Sequence, residues 1–300
     1  MKKIGIYLGL LSIMPSSFYT MEIMQDHFSF SSLLFDQRGT PTSALLTVLK
    51  KYGICATDRA TIVKETQEKF LRKPGTERYQ IEGNAPIEQQ LAPFKLLNMA
   101  DTIKPMDHSY EYVLVLGATY NTIKNRIDML MNLLQNGLRC KQIVFLGSER
   151  PLFEHERALS FDGSQPKPET EHQVIQWLYH KQKDLFAKLG HTNLLFINSH
   201  NKTDSNGKIS RATTQDTVQD FLKVIQRKPE SCLVISSQPH AHYQLAVVQK
   251  EFLPDFKQIQ VAAPAIPADI KEGELLDALA RQIYTENIIY ETIAPTQSKH

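Results

Sequence analysis

Tyr112-Val113-Leu114-Val115-Leu116-Gly117 is the stretch that decides the fold. It is apolar without alternation and closes on glycine. A strand with one wet face alternates, whereas a strand covered on both faces reads as an unbroken apolar run. Four more runs of this kind follow, at 142–147, 193–198, 231–237 and 258–263. Helical periodicity fills the intervals. Ile123, Ile127, Leu130 and Leu134 share one face of a helix over 122–136, which Gly137 ends. Val174, Trp177, Leu178, Leu185 and Leu189 do the same over 169–189. A third helix follows Arg211, with Val218, Phe221, Leu222 and Ile225 inward. A fourth begins near His240 and buries Leu245, Val248 and Phe252. Strand and helix in strict alternation predict an α/β fold with a doubly wound parallel sheet over 106–300.

Ahead of that region the pattern is helical and polar. Leu45, Leu46, Val48 and Leu49 form a stripe ended by a basic turn and Gly53, a regular stop signal. Further helices are expected over 57–72 and 87–99, with Pro93 bending or splitting the second. Residues 22–105 therefore read as a helical N-terminal extension, either a separate unit or a cap over the main domain. In residues 1–21, Lys2 and Lys3 precede the apolar run 4–14 and then Pro15-Ser16-Ser17. That order is the order of a secretory signal peptide, although a buried first strand would also fit. Export would place the protein in the periplasm, the envelope or outside the cell, and retention would leave it in the cytoplasm. No later segment has transmembrane length.

Thirty-four basic against 32 acidic residues leave a formal charge of +2 and no basic stripe, so a nucleic-acid partner is not expected. Three widely spaced cysteines, Cys55, Cys140 and Cys232, argue against a disulfide framework. The oligomeric state is left open by the sequence.

In an open parallel sheet the ligand site lies beyond the carboxyl ends of the strands. The residues leaving those ends are Gly117-Ala118-Thr119, Gly147-Ser148-Glu149-Arg150, Asn198-Ser199-His200 and Ser236-Ser237-Gln238-Pro239-His240. Small residues and hydroxyls there, opening onto helix N-termini, favour an anion. Arg126, Arg150 and Arg211 are the candidate countercharges, and Thr214 adds a hydroxyl. Glu171, Asp216 and His240 are the candidates for acid–base work, the two carboxylates being equally readable as helix-start charges. The fingerprints of dinucleotide, Walker-type, serine-hydrolase and zinc-protease sites are absent. His240-Ala241-His242 lacks an acidic or Cys ligand nearby, so no metal is expected.

At these residues the chain resembles the ElyC/SanA/YdcF family of bacterial proteins. Residues 113–117 with Arg126 are similar to its first strand and helix, and Phe145-Leu146-Gly147-Ser148 to its second strand. Thr170-Glu171 resembles the acidic helix start, Thr213-Thr214-Gln215-Asp216-Thr217 the Asn-Thr-x-Glu-Asn segment, and 235–240 the last strand and its histidine. The likeness spans about 110–255. Departures are Glu149-Arg150-Pro151-Leu152 in the second turn and Tyr243 where the family commonly has Arg. The resemblance implies a Rossmann-like fold, a pocket on the strand ends, and a link to envelope integrity with handling of carrier-linked sugar intermediates. It also implies S-adenosylmethionine as a cofactor candidate.

Three functions are compatible with these readings. One is an envelope-associated protein, catalytic or not, that binds a phosphate- or carboxylate-bearing small molecule. Another is a non-catalytic binder of S-adenosylmethionine or a nucleotide. The last is a scaffold whose helical extension contacts a protein partner.

Overall fold

The computed structural model describes residues 33–297, apart from 37, 74, 78–79, 82, 84–85, 87, 164–165, 192, 204–206, 208 and 254–257, and apart from the side chains of 293–297. Residues 1–21, where a signal peptide is expected, and the start of the extension lie outside the described residues.

The sheet is built as the apolar runs require. Strands β1 (Ser109–Leu116), β2 (Arg139–Ser148), β3 (Leu194–Ser199), β6 (Ser231–Ile235) and β7 (Gln258–Ala262) form five parallel strands in the order β3-β2-β1-β6-β7. Val113 and Val115 point to one face, where they meet α4 (Tyr120–Gln135) and α6 (Glu171–Lys188) through Ile127, Leu130, Val174 and Ile175. Tyr112, Leu114 and Leu116 point to the other, against α7 (Thr214–Ile225) and α8 (Ala241–Phe252) through Val218, Phe221, Val248 and Phe252. Period-two side-chain alternation thus places apolar groups on both faces, which explains why the runs do not alternate in polarity. The fold is α/β and Rossmann-like. After β3 the chain returns across the sheet to pair β6 with β1, so the strand order reverses between the carboxyl ends of β1 and β6. That crevice is where such sheets bind ligands.

Smaller elements went unforeseen: the helix α5 (Glu154–Arg157) and a two-stranded hairpin, β4 (Lys202–Thr203) with β5 (Ile209–Ser210). The extension contains α1 (Ser43–Lys51), α2 (Arg59–Phe70) and α3 (Glu88–Leu96). Pro93 lies inside α3 and does not split it. Proline removes the amide that would have served the Gln89 carbonyl, and Lys51 Nζ donates to that oxygen instead, at 3.2 Å.

These three helices do not close a core alone. Leu45, Leu49, Ile62 and Phe94 pack on Leu275, Leu279 and Ile283 of the last helix, α9 (Glu272–Gln297). The extension is therefore a cap completed by the C-terminal end of the chain. It is joined to the sheet by the bridge Ile103↔Ala263 and by Gln238, whose side-chain amide donates to the Asn98 and Asp101 carbonyls at 2.7 and 3.0 Å. No helix among the described residues is long and apolar enough to cross a membrane.

Leu279→Ala is expected to lower stability by about 2–5 kcal/mol, because the side chain is fully buried where four helices meet. Urea unfolding measures it. A loss under about 0.5 kcal/mol, typical of surface positions, would contradict this placement of α9.

Candidate functional site

Two buried polar networks meet at the carboxyl end of β1. The first is centred on Arg126, which is 1% exposed. It lies on α4, two turns beyond the strand, so its side chain runs back beneath the β1 terminus. Nη1 donates to the carbonyls of Leu116 and Gly117 at 2.7 and 2.8 Å, Nε to Ser237 Oγ at 3.0 Å, and Nη2 to Gln244 Oε1 at 3.0 Å. Gln244, on α8, also accepts from Ser236 Oγ and donates to Thr214 Oγ1 at 3.4 Å. Arg126 thus ties β1 to the β6 turn across the strand-order reversal.

The second network is centred on Arg150 at the end of β2. Nη1 meets Glu156 Oε2 at 2.8 Å and Nε meets Glu171 Oε2 at 3.0 Å, while Nη2 donates to the Ala118 carbonyl at 2.9 Å. Ser148 Oγ donates to Glu171 Oε1 at 3.2 Å. Glu156 also accepts the backbone amides of Tyr120 and Phe153, at 2.8 and 3.0 Å.

Glycine at 117 and 147 is explained by close approach. A Cβ on Gly117 would stand 2.3 Å from Glu171 Oε1 and 2.7 Å from the Leu146 carbonyl. One on Gly147 would stand 2.8 Å from Ile175 Cδ1 and 3.1 Å from His172 Cα, where α6 crosses the strand end.

The two carboxylates on Arg150 differ in proton affinity. Burial would raise Glu156, but Arg150 and the amides of Phe153 and Tyr120 outweigh it and hold the group below the ordinary range. Burial also raises Glu171, and there Arg150, Ser148 and Arg126 offset it only in part, leaving the carboxyl above the ordinary range.

Several sequence expectations change at this point. Arg150 is engaged by two carboxylates and Arg126 by carbonyl, hydroxyl and amide oxygens, so both serve internal acceptors rather than standing open as countercharges. Arg211 is half-exposed and pairs with Glu77 of the cap at 3.1 Å. Asp216 closes a capping box at the start of α7, accepting from the Thr213 amide and hydroxyl at 2.8 Å each, and it pairs with Lys202. Burial opposes its ionisation, but Lys202 and Thr213 prevail and hold it below its ordinary value. Its helix-start reading is the one the geometry bears out. Thr119 and His240 are the N-caps of α4 and α8, and neither makes a side-chain capping bond. His240, Ser236 and Ser237 are buried in the turn that holds Arg126.

Glu156 and Gln244 were missed. Nothing in Glu154-His155-Glu156-Arg157 marks a buried carboxylate, and Gln244 has no spacing signature. Two open depressions, of about 440 and 350 Å³, lie at the opposite, amino-terminal edge of the sheet. Asp107, His108 and Arg139 line one, and Glu111, already paired with Arg227 and Lys141, lines the other.

Searched against models of protein families and against curated proteins, the chain matches none.

Two tests follow from this geometry. Gly117→Ala is expected to cost about 1–3 kcal/mol by forcing Glu171 and the Leu146 carbonyl apart, as measured by chemical denaturation. The pH dependence separates the carboxylates. Glu156, lowered in the fold, contributes stability that is lost as pH falls below its ordinary 4.5. Glu171, raised in the fold, binds its proton more tightly when folded, so its contribution declines as pH rises above 4.5. The stability of wild type minus that of Glu171→Gln should therefore fall with rising pH. A difference that rises instead would mean the carboxyl is lowered.

Proposed function

We propose that the chain binds a small anionic molecule at the carboxyl ends of β1 and β6, and that Glu171 exchanges a proton with it. The observation that carries this reading is Glu171 itself. A nearly buried carboxyl held above its ordinary range lies at the carboxyl ends of β1 and β2, beside the strand-order reversal and on the edge where such sheets bind ligands. It approaches Gly117 closely, and the N-cap residue of α8, which flanks the crevice, makes no side-chain capping bond. Backbone donors at a helix start suit a phosphate or carboxylate. His240 stands at the α8 end of the crevice as a second group able to move a proton.

Membership of the ElyC/SanA/YdcF family belongs to this proposal, resting on the motifs between 110 and 255. An envelope role on carrier-linked sugar or phosphate intermediates goes with it, resting also on the Lys2-Lys3 leader pattern. One observation favours a second reading. With Arg126 and Arg150 both engaged internally, the crevice suits a ligand of low net charge, as a non-catalytic S-adenosylmethionine binder would require.

The readings part in one experiment. The full chain is screened by thermal shift, then by product analysis, with S-adenosylmethionine, nucleotide sugars and a polyprenyl phosphate. The leading reading expects turnover of a phosphate-bearing compound that Glu171→Gln lowers about 10²–10⁴-fold while binding persists. Stabilisation by S-adenosylmethionine alone, without product, supports the second reading. Wild-type turnover in Glu171→Gln would remove Glu171 from the mechanism.

A further inference from the structure

Three arginines from distant parts of the chain gather where the cap meets the sheet domain. Arg72 follows α2, Arg281 lies on α9, and Arg211 stands two residues before the α7 N-cap, Thr213. Arg72 feels the charges of Asp277, Arg281, Glu77 and Arg211, which places all five groups in one electrostatic cluster. Three guanidinium groups thus face two carboxylates.

The two carboxylates are already committed. Asp277, fully buried, accepts from Arg281 Nε and Nη2 at 2.9 and 3.1 Å and from the Arg72 backbone amide at 3.3 Å. Glu77 pairs with Arg211 at 3.1 Å. The Arg72 guanidinium comes no nearer to Asp277 than 3.9 Å, and its Nη1, shielded from solvent, has no hydrogen-bond partner among the described residues. Burial, and the repulsion of Arg281 and Arg211, act against its charge. A shielded guanidinium nitrogen lacking an acceptor is costly. An anion with several oxygens would relieve that cost.

The cluster also has the right position. Arg211 and Thr213 lead into α7 after β3, and Tyr243, whose hydroxyl lies against Arg281, is in the first turn of α8 after β6. Both helices begin at the carboxyl edge of the sheet. We infer that Arg72, Arg211 and Arg281 form an anion subsite, between cap and sheet, for the phosphoryl or diphosphoryl part of the ligand. This rests on the preceding reading only in placing that ligand at the carboxyl edge. Planar guanidinium forks bind phosphoryl oxygens in pairs. Within the subsite it is Arg72 Nη1 that lacks a hydrogen-bond partner among the described residues, whereas Arg126 and Arg150 are held by internal partners.

The test uses the full chain at constant ionic strength and low millimolar ligand. The probes are inorganic phosphate, inorganic pyrophosphate, a nucleoside diphosphate and a short-chain polyprenyl phosphate. Pyrophosphate is expected to raise the unfolding midpoint saturably in wild type. In Arg72→Gln the shift is expected to vanish, and in Arg211→Gln the affinity to fall roughly tenfold or more, as for a charge-assisted bond of about 1.5–3 kcal/mol. Arg211 is half-exposed, so its variant keeps the test valid should Arg72→Gln fail to fold. The probe that binds most tightly identifies the source of the phosphoryl group. No saturable shift with any probe in wild type, or an undiminished one in Arg211→Gln, overturns the subsite. A shift lost in Glu171→Gln but kept in both arginine variants would move the anion to the β1–β6 crevice, overturning this inference and leaving the proposed function standing.

Discussion

A guanidinium group almost wholly out of water must find acceptors for all its donors, and at Arg126 that requirement organises the centre of the molecule. Two of the acceptors are the carbonyls of Leu116, the last residue of β1, and of Gly117, which follows it. The others come from the β6 turn and from α8. Satisfying one side chain therefore fixes the distance between the two strand ends that bound the crevice. Removing the charge alone would take a donor from both carbonyls. Removing the acceptors would leave a buried cation. Either costs more than a surface contact could return.

Arg150 applies the same requirement with the opposite chemistry. Its acceptors are carboxylates, so the β2 end becomes a nearly neutral cluster in which Glu171 and Glu156 share one cation. Glu156 has the two backbone amides as well and stays ionised. Glu171 has only Ser148 besides and remains the more basic of the two. Unequal sharing of one arginine thus sets the two carboxyls apart in proton affinity. Gly117 is the condition for it, since any side chain there would occupy the place of the Glu171 carboxyl.

The sheet was legible because burial on both faces leaves a trace in composition that needs no partner to read. The run at 112–117 falls within or beside β1, and the other four runs overlap the other four strands of that sheet. The positions of the strand ends were legible for the same reason, since they can be read from where apolar runs stop. Charge roles were not. A sequence shows that Arg150 and Arg126 are cations at strand ends, but not that Glu156 folds back onto one or that Gln244 meets the other. Those contacts cross loops whose paths periodicity does not encode. Asp216 shows the converse. The spacing Thr213 to Asp216 is a capping box visible in the chain, and it outweighed any catalytic reading once its hydrogen bonds were known. In α9 the apolar spacing Leu275, Leu279, Ile283 is regular, yet its partner helices lie some two hundred residues earlier.

That long closure matters for function. A cap made only of residues 33–105 could fold apart from the sheet and sit on it loosely. Because α9 completes its core, the cap is tied at both ends of its own sequence to the sheet domain. One tie is the Ile103–Ala263 bridge at the β7 end, and the other is the segment leading from β7 into α9. Two ties, one hydrogen-bonded and one covalent, leave less freedom than one, so side chains of the cap hold a defined position against the carboxyl edge of the sheet. Arg72 and Arg281 are presented on that frame, one from each end of the chain, with Asp277 fixing both. The positive charge near the crevice is therefore a property of how the cap is closed, not of the strand ends alone.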